Sequence, residues 1–132
     1  MQYEPSLTRD RLIELATKTY FGNVDAKRLD ETLACFHDEA LFCIQSSFTR
    51  HAGKDAIRRM FVDFFGAYET IVHKDFCCTV DEINGRISAC FEAILTAADG
   101  TVTRLQNTNF WRIREGRFQE VYVYMSGANV LV

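Results

Sequence analysis

The sequence lacks the features that mark several common classes of protein. Its 132 residues contain one proline, Pro5, and no internal repeat or low-complexity segment, so no linker divides the chain and Pro5 predicts only a short N-terminal arm. The 15 lysines and arginines nearly balance the 18 aspartates and glutamates, which leaves a net charge of -3. A nucleic-acid-binding surface usually brings an excess of positive charge. We therefore expect one domain, residues 1–132, that binds no nucleic acid.

Long apolar runs are also absent. No stretch approaches the roughly 20 apolar residues that a membrane-spanning helix needs, and residues 1–11 are too polar for the apolar core of a signal peptide. The five cysteines are odd in number and mostly lie within apolar runs, which argues against a disulfide framework. The sequence predicts a cytoplasmic protein with reduced thiols and no membrane contact.

Metal-binding and phosphate-binding motifs are missing as well. The three histidines lie 14 and 22 residues apart, and neither Cys-x-x-Cys nor His-x-x-x-His occurs. The adjacent pair Cys77-Cys78 points to opposite faces of a strand and suits neither a shared metal nor a disulfide. We expect no bound metal and no cofactor.

What the chain does contain is three amphipathic helical segments. In residues 12–20 the apolar side chains recur at steps of three and four, and this helix should end near Gly22. A second helix follows Asp25, a candidate N-cap, and runs to about His37. The third begins at Gly53 and carries an apolar stripe formed by Ile57, Met60, Phe61, Phe64, Phe65 and Tyr68.

From His73 onward the apolar period changes to two, which is typical of strands. We expect strands at 74–83, 86–97, 101–114 and 117–126, joined by turns at Asn84-Gly85, Asp99-Gly100 and Glu115-Gly116. Residues 41–45 and 47–50 form two shorter strand-like segments before the third helix. The predicted architecture is α+β, with three helices packed on one face of a curved, mainly antiparallel sheet.

If each turn pairs its flanking residues directly, the register assigns every side chain of the sheet to one face. Phe91 then lies opposite Cys78 and Thr108, and Thr108 lies opposite Val123. The face turned toward the helices would carry Phe76, Cys78, Val80, Ile87, Ala89, Phe91, Ala93, Leu95, Gln106, Thr108, Phe110, Val121, Val123 and Met125. The outer face would carry Glu92, Asn107, Asn109, Trp111, Phe118, Glu120, Tyr122 and Tyr124.

The mixture of aromatic and amide side chains on this outer face is typical of an association surface. We expect a homodimer that pairs through Trp111, Tyr122 and Tyr124. The alternative is a solvated outer face with a few scattered aromatic residues, which is common and needs no partner.

The order of elements, the helix start Gly53-Lys54-Asp55-Ala56-Ile57 and the hairpin FWRIREGR at residues 110–117 resemble the SnoaL-like branch of the NTF2-like superfamily. The resemblance covers nearly the whole chain. It implies a cone-shaped, cystatin-like α+β fold with a pocket between the sheet and the helices, usually in a dimer. That superfamily includes polyketide cyclases, steroid isomerases and epoxide hydrolases as well as transport factors without catalysis, so the fold alone does not select an activity.

The resemblance also allows the catalytic positions of the related enzymes to be compared with the residues of this chain. The tyrosine of the ketosteroid isomerases corresponds to Tyr20, but their base corresponds to Ile44 and their acid to Thr108. Ile44 cannot accept a proton and Thr108 is no strong acid, so two of the three catalytic groups are missing. Where polyketide cyclases often have an acidic residue near the end of the last strand, this chain has Ser126.

Two functions of different classes remain open. In the first, a mostly apolar small molecule binds in the cone and the chain acts as an isomerase, cyclase or dehydratase. Tyr20 would polarise a carbonyl and His73 would move the proton; the ligand would contact Phe61, Phe91, Gln106, Thr108, Met125 and His51. In the second, the chain is a non-catalytic interaction or carrier module, and Tyr20 is a core tyrosine bonded to the backbone.

Overall fold

Residues 7–132, which the computed structural model describes, form three α-helical segments and one six-stranded sheet; the predicted arm at Pro5 lies outside this range. Helix α1 (Arg9–Ile13) continues through a π-helical turn (Glu14–Thr19) into α2 (Tyr20–Asp25), and α3 (Leu29–Leu33) and α4 (Lys54–Ala67) follow. The strands are β1 (Phe36–Ile44), β2 (Thr49–Ala52), β3 (Thr70–Asp81), β4 (Arg86–Thr96), β5 (Val102–Arg114) and β6 (Arg117–Tyr124). A single 3-10 turn (Gln45–Ser47) separates β1 from β2.

The sheet has the order β2-β1-β6-β5-β4-β3. Strands β1 and β6 are parallel and all other neighbouring pairs are antiparallel, which confirms a mainly antiparallel sheet. The helices lie against one face, where α4 buries five residues of its predicted apolar stripe, Ile57, Met60, Phe61, Phe64 and Phe65. The sixth, Tyr68, follows the end of the helix and is partly buried. The α+β fold is therefore the predicted one.

The second helix is shorter than its prediction. Helix α3 ends at Leu33, and the chain from Phe36 onward forms β1 because Phe36 pairs with Phe118 of β6. Tertiary pairing has overridden the helical pattern of this segment. Asp25 is the last residue of α2, and its carboxylate binds His73 instead of capping a following helix.

The predicted register between β4 and β5 was wrong by one residue. Five residues, 97–101, connect these strands, and Phe91 pairs with Asn107, not with Thr108. Within this loop the Ala97 amide donates to the carbonyl of Thr101 at 2.9 Å, so Asp99-Gly100 is not a two-residue turn. A shift of one residue turns every side chain of a strand to the other face. The side chains of β5 that face the helices are Leu105, Asn107, Asn109, Trp111 and Ile113, whereas Gln106, Thr108 and Phe110 face outward.

Strands β3 and β4 and the part of β6 from Glu120 onward keep their predicted faces, whereas Phe118, before the register shift, is buried and does not face outward. The register between β5 and β6 shifts by one after Arg112, so Thr108 lies opposite Tyr124 and not Val123. This shift compensates for the error in β5, and Val123 still faces the helices. Between β3 and β4, Cys78 pairs with Ala89, two residues from the predicted partner, which leaves the face of each side chain unchanged.

Candidate functional site

A pocket lies between the helix-facing side of the sheet, α2 and α4. It is lined by Tyr20, Phe21, Val24, Phe42, Phe61, Phe64, His73, Phe91, Ala93, Leu95, Leu105, Asn107, Asn109, Val123, Met125, Val130 and Leu131. Four of these side chains are polar, and none is an Asp, Glu, Lys or Arg. Such a wall favours a neutral, mostly apolar ligand, since an unpaired ion would lose its hydration there.

The pocket is nearly filled by its own side chains. The space that the centres of water-sized molecules can occupy is about 30 Å³, although the empty volume is about 400 Å³ when solvent at the mouth is included. The smaller value describes what fits inside, and it corresponds to one or two water molecules. A larger ligand requires the pocket to widen.

The segment after β6, residues 125–132, closes one side of the pocket. Its residues Val130 and Leu131 belong to the wall. The segment is held to β2 by two hydrogen bonds, from Asn129 Nδ2 to Thr49 Oγ1 at 3.2 Å and between His51 Nε2 and the carbonyl of Leu131 at 2.9 Å. We call residues 125–132 the closing segment.

His73 and Asp25 form a hydrogen-bonded pair at the pocket wall. The Nδ1 of His73 lies 2.5 Å from Oδ1 of Asp25, and the backbone amide of His73 donates to Oδ2 at 2.8 Å. The imidazole also stacks on the ring of Phe21, with 4.2 Å between the ring centroids and 27° between the planes. Two hydrogen bonds and a stacked ring fix the orientation of His73, and they leave Nε2 as the ring nitrogen that can exchange a proton with a ligand.

Tyr20 lies at the base of the pocket, enclosed by aromatic rings. Its ring centroid lies 4.7 Å from that of Phe21 and 5.2 Å from that of Phe118. Burial raises the pKa of the Tyr20 hydroxyl well above its ordinary value, and the neighbouring Cys35 and Asp25 add to this effect. The phenol therefore stays protonated at neutral pH and can donate a hydrogen bond, but it cannot act as a base.

Asn107 and Asn109 bring two amides into an otherwise apolar wall. Their side chains are 6% and 3% exposed, and their Oδ1 atoms have no hydrogen-bond partner among the described residues. The cross-strand neighbours of Asn109 are Ala89 and Val123, which offer no side-chain donor. Buried amide oxygens are almost always bonded. Among the groups that line the pocket, these two oxygens are the buried acceptors that a ligand or water can satisfy.

The structure brings five of the eight predicted site residues into the pocket: Tyr20, Phe61, His73, Phe91 and Met125. Gln106 and Thr108 lie on the outer face because of the register error, and Thr108 contacts the thiol of Cys90 there. His51 is buried beside the pocket, where it binds the closing segment.

Three site residues were missed by reading the sequence. Asn107 and Asn109 alternate along β5 as pocket residues would, and the register error alone placed them outside. Asp25 lies 48 residues from His73 in the chain, and no local pattern indicates their contact.

The outer face differs from its prediction at its tryptophan. Trp111 is 1% exposed and faces the helices, and Phe118 is likewise buried. Tyr122 and Tyr124 do face outward, and Phe110 joins them, with 5.9 Å between the ring centroids of Phe110 and Tyr124. We call Phe110, Tyr122 and Tyr124 the outer aromatic patch.

The described part of the chain has neither a helix that could span a membrane nor a cluster of metal-ligating side chains. Residues 7–132 contain no helix that is long and apolar enough to cross a membrane. Within the same range, no group of three or more His, Cys, Asp or Glu side chains is placed to hold a metal ion.

Comparison with known proteins gives a consistent family and fold. Residues 17–121 match the family described as the SnoaL-like domain. No curated protein matches the chain in sequence. Similar solved structures include a proposed polyketide cyclase from Silicibacter sp., with a TM-score of 0.78 and 17% identity over 92% of this chain and 93% of that one.

Two further similar structures are described as enzymes of other classes. A proposed isomerase from Bacillus subtilis has a TM-score of 0.78 and 16% identity over 89% of this chain and 87% of that one. An epoxide hydrolase from M. tuberculosis, described as LEH-like, has a TM-score of 0.76 and 12% identity over 89% and 84%. Identities this low establish a shared fold and leave the reaction open.

Proposed function

The chain belongs to the SnoaL-like domain family, and from the groups that line its pocket we propose that it is a proton-transfer enzyme. It would isomerise, cyclise or dehydrate a neutral, mostly apolar small molecule without a cofactor. His73 would act as the general base and acid, and Asp25 would hold its ring in position.

The observation that carries this proposal is the His73–Asp25 pair. General acid-base catalysis needs a titratable group at the pocket wall, and it is most effective when a second group fixes the orientation of the first. His73 lines the pocket, and its side chain is 8% exposed. Because Asp25 occupies Nδ1, Nε2 can take a proton from a carbon or oxygen of the ligand and return it at another atom.

The remaining polar groups suit the charge that develops during such a transfer. Removal of a proton next to a carbonyl places negative charge on the carbonyl oxygen. A protonated Tyr20 can donate a hydrogen bond to this oxygen, which stabilises the developing enolate. Asn107 and Asn109 can accept hydrogen bonds from ligand hydroxyls through their unpartnered oxygens.

The lining residues offer few groups for covalent catalysis. None of them is a Ser, Thr, Cys, Lys, Asp or Glu, the residue types that most often form covalent intermediates. A proton-transfer mechanism uses the polar side chains that do line this pocket, Tyr20, His73, Asn107 and Asn109.

A second candidate function is binding without catalysis, and the small volume of the pocket favours it. With about 30 Å³ available, the side chains themselves complete most of the core. In this case the fold would serve as an interaction module, and the outer aromatic patch would be its functional surface.

The two candidates can be separated by a ligand screen followed by hydrogen exchange. Neutral cyclic ketones and hydroxylated aromatics are tested for an increase in melting temperature, because a ligand that binds only the folded state must raise it. Each ligand that binds is then incubated with the protein in D₂O, and NMR follows deuterium incorporation next to its carbonyl.

We expect H73Q to slow this exchange by about 100-fold or more, the size of a typical general-base contribution. D25N should also slow it while ligand binding is retained. H37Q is the matched control, because His37 binds the carbonyl of Arg114 and does not line the pocket. Exchange that survives H73Q unchanged would refute the role of His73, and no thermal shift with any ligand would favour the module without catalysis.

A further inference from the structure

Two cysteines face each other across the edge of the sheet. Cys77 on β3 pairs directly with Cys90 on β4, and both are exposed free thiols. Partners that are directly opposite in an antiparallel ladder point to the same face. For this pair it is the outer face, since the neighbouring residues Cys78 and Phe91 point toward the helices.

The spacing of such a pair suits a disulfide bond. Directly opposite residues of antiparallel strands have Cα atoms about 4.5–5.5 Å apart. A disulfide spans Cα separations of roughly 4.4–6.8 Å. The two thiols can therefore be joined with little movement of the backbone.

The other thiols of the chain are less reactive. Burial raises the pKa of Cys35 from 9.0 to about 11 and also raises the pKa values of Cys43 and Cys78. Because the thiolate is the form that attacks a disulfide, these three compete poorly for an oxidant. The Cys90 sulfur lies 3.3 Å from the hydroxyl of Thr108 on β5, so the Cys90 side chain has to rotate toward β3 to reach Cys77.

We propose that Cys77 and Cys90 form a redox-active dithiol that low-molecular-weight disulfides oxidise to a cross-strand disulfide. One thiolate attacks a sulfur of the disulfide RSSR, forms a mixed disulfide and releases the first RSH. The second thiolate then attacks the mixed disulfide, forms the Cys77–Cys90 bond and releases the second RSH. Two protein thiols are oxidised and one RSSR is reduced to two RSH.

The disulfide would fasten β3, an edge strand of the sheet, to β4. Both strands contribute to the pocket on their other face, through His73 on β3 and Phe91 on β4. The dithiol thus lies behind a pocket wall, where oxidation can stiffen it. On the outer face, Cys90 pairs with Thr108 and Thr108 pairs with Tyr124, so one residue of β5 lies between the dithiol and the outer aromatic patch.

The test is oxidation of the purified full chain with oxidised glutathione. Intact-mass spectrometry under denaturing conditions should show the loss of two hydrogen atoms, and reduction should restore the original mass. Trypsin cleaves after Lys74, Arg86 and Arg104, so the bond should join peptide 75–86 to peptide 87–104. The oxidised protein should also melt at a higher temperature, since the cross-link restricts the unfolded chain.

Variants assign the bond to its residues, because peptide 75–86 contains both Cys77 and Cys78. C77S and C90S should each lose the cross-link, and C78S should keep it at the wild-type rate. Circular dichroism checks that each variant folds. A cross-link that persists in C77S, a stable mixed disulfide with glutathione, or a disulfide between two chains would each overturn the proposal.

Discussion

Replacement of Asn109 by leucine should stabilise the protein while it destroys the ligand site. The Oδ1 of Asn109 is buried without a partner, and an unsatisfied buried acceptor costs about 1–3 kcal/mol. Leucine has the same branching as asparagine and no polar atom. Its slightly larger volume can extend into the roughly 30 Å³ of free space beside it. We expect the free energy of unfolding to rise by about 1–3 kcal/mol in N109L.

Urea unfolding measures this change directly. The single tryptophan, Trp111, is 1% exposed, so its fluorescence reports the loss of the core. The midpoint should move to higher urea with an unchanged m value, because the surface exposed on unfolding hardly changes. In a chain of this size the melting temperature should rise by roughly 3 °C for each kcal/mol.

The matched control lies on the same strand. Gln106 is exposed on the outer face, so Q106L should change the stability by about 0.5 kcal/mol or less. Any ligand found in the screen should lose its thermal shift in N109L and keep it in Q106L. If N109L unfolds at lower urea than the wild type, the amide of Asn109 forms a stabilising hydrogen bond in the free protein, which contradicts an unpartnered Oδ1.

Two further predictions concern pH and assembly. Burial raises the pKa of Cys35 from 9.0 to about 11, so between these pH values the folded protein retains a proton that the unfolded chain loses. The neutral thiol therefore contributes stability that is fully present below pH 9 and is lost as the pH rises through about 11. C35A should therefore lose about 2 kcal/mol less unfolding free energy than the wild type between pH 9 and pH 11, measured by urea unfolding at both values; equal losses would contradict the assignment. The outer aromatic patch predicts a homodimer, so Y124K should halve the mass measured by light scattering, while I83K, at an exposed apolar residue in the β3–β4 turn, should not. A wild-type protein that is monomeric at high concentration would refute the dimer.

The helices and strands of this chain could be predicted because their signals are local. The stripe of α4 repeats at steps of three and four, and the strands after His73 alternate, so neither depends on distant residues. The end of the second helix depends on a distant residue. Phe36 joins β1 because Phe118 is its partner, and those residues lie 82 positions apart.

The composition of the pocket depended on the length of one loop. Asp99-Gly100 is compatible with a turn of two residues or with the loop 97–101, and the sequence offers no means to choose between them. The choice decides whether Asn107 and Asn109 or Gln106 and Thr108 face the helices. A correct assignment of all the strands was therefore insufficient to find the amides of the site.

The closing segment has a consequence for the kinetics of any ligand. With Val130 and Leu131 in its wall, the pocket admits only one or two water molecules, so a larger ligand requires it to widen, and we predict that the closing segment is the part that moves. The observed association rate should then level off at high ligand concentration, at the rate at which the segment opens. The apparent dissociation constant equals the intrinsic one divided by the open fraction. Substitutions in residues 129–131 would thus change affinity and residence time without altering any contact with the bound molecule at the opposite wall.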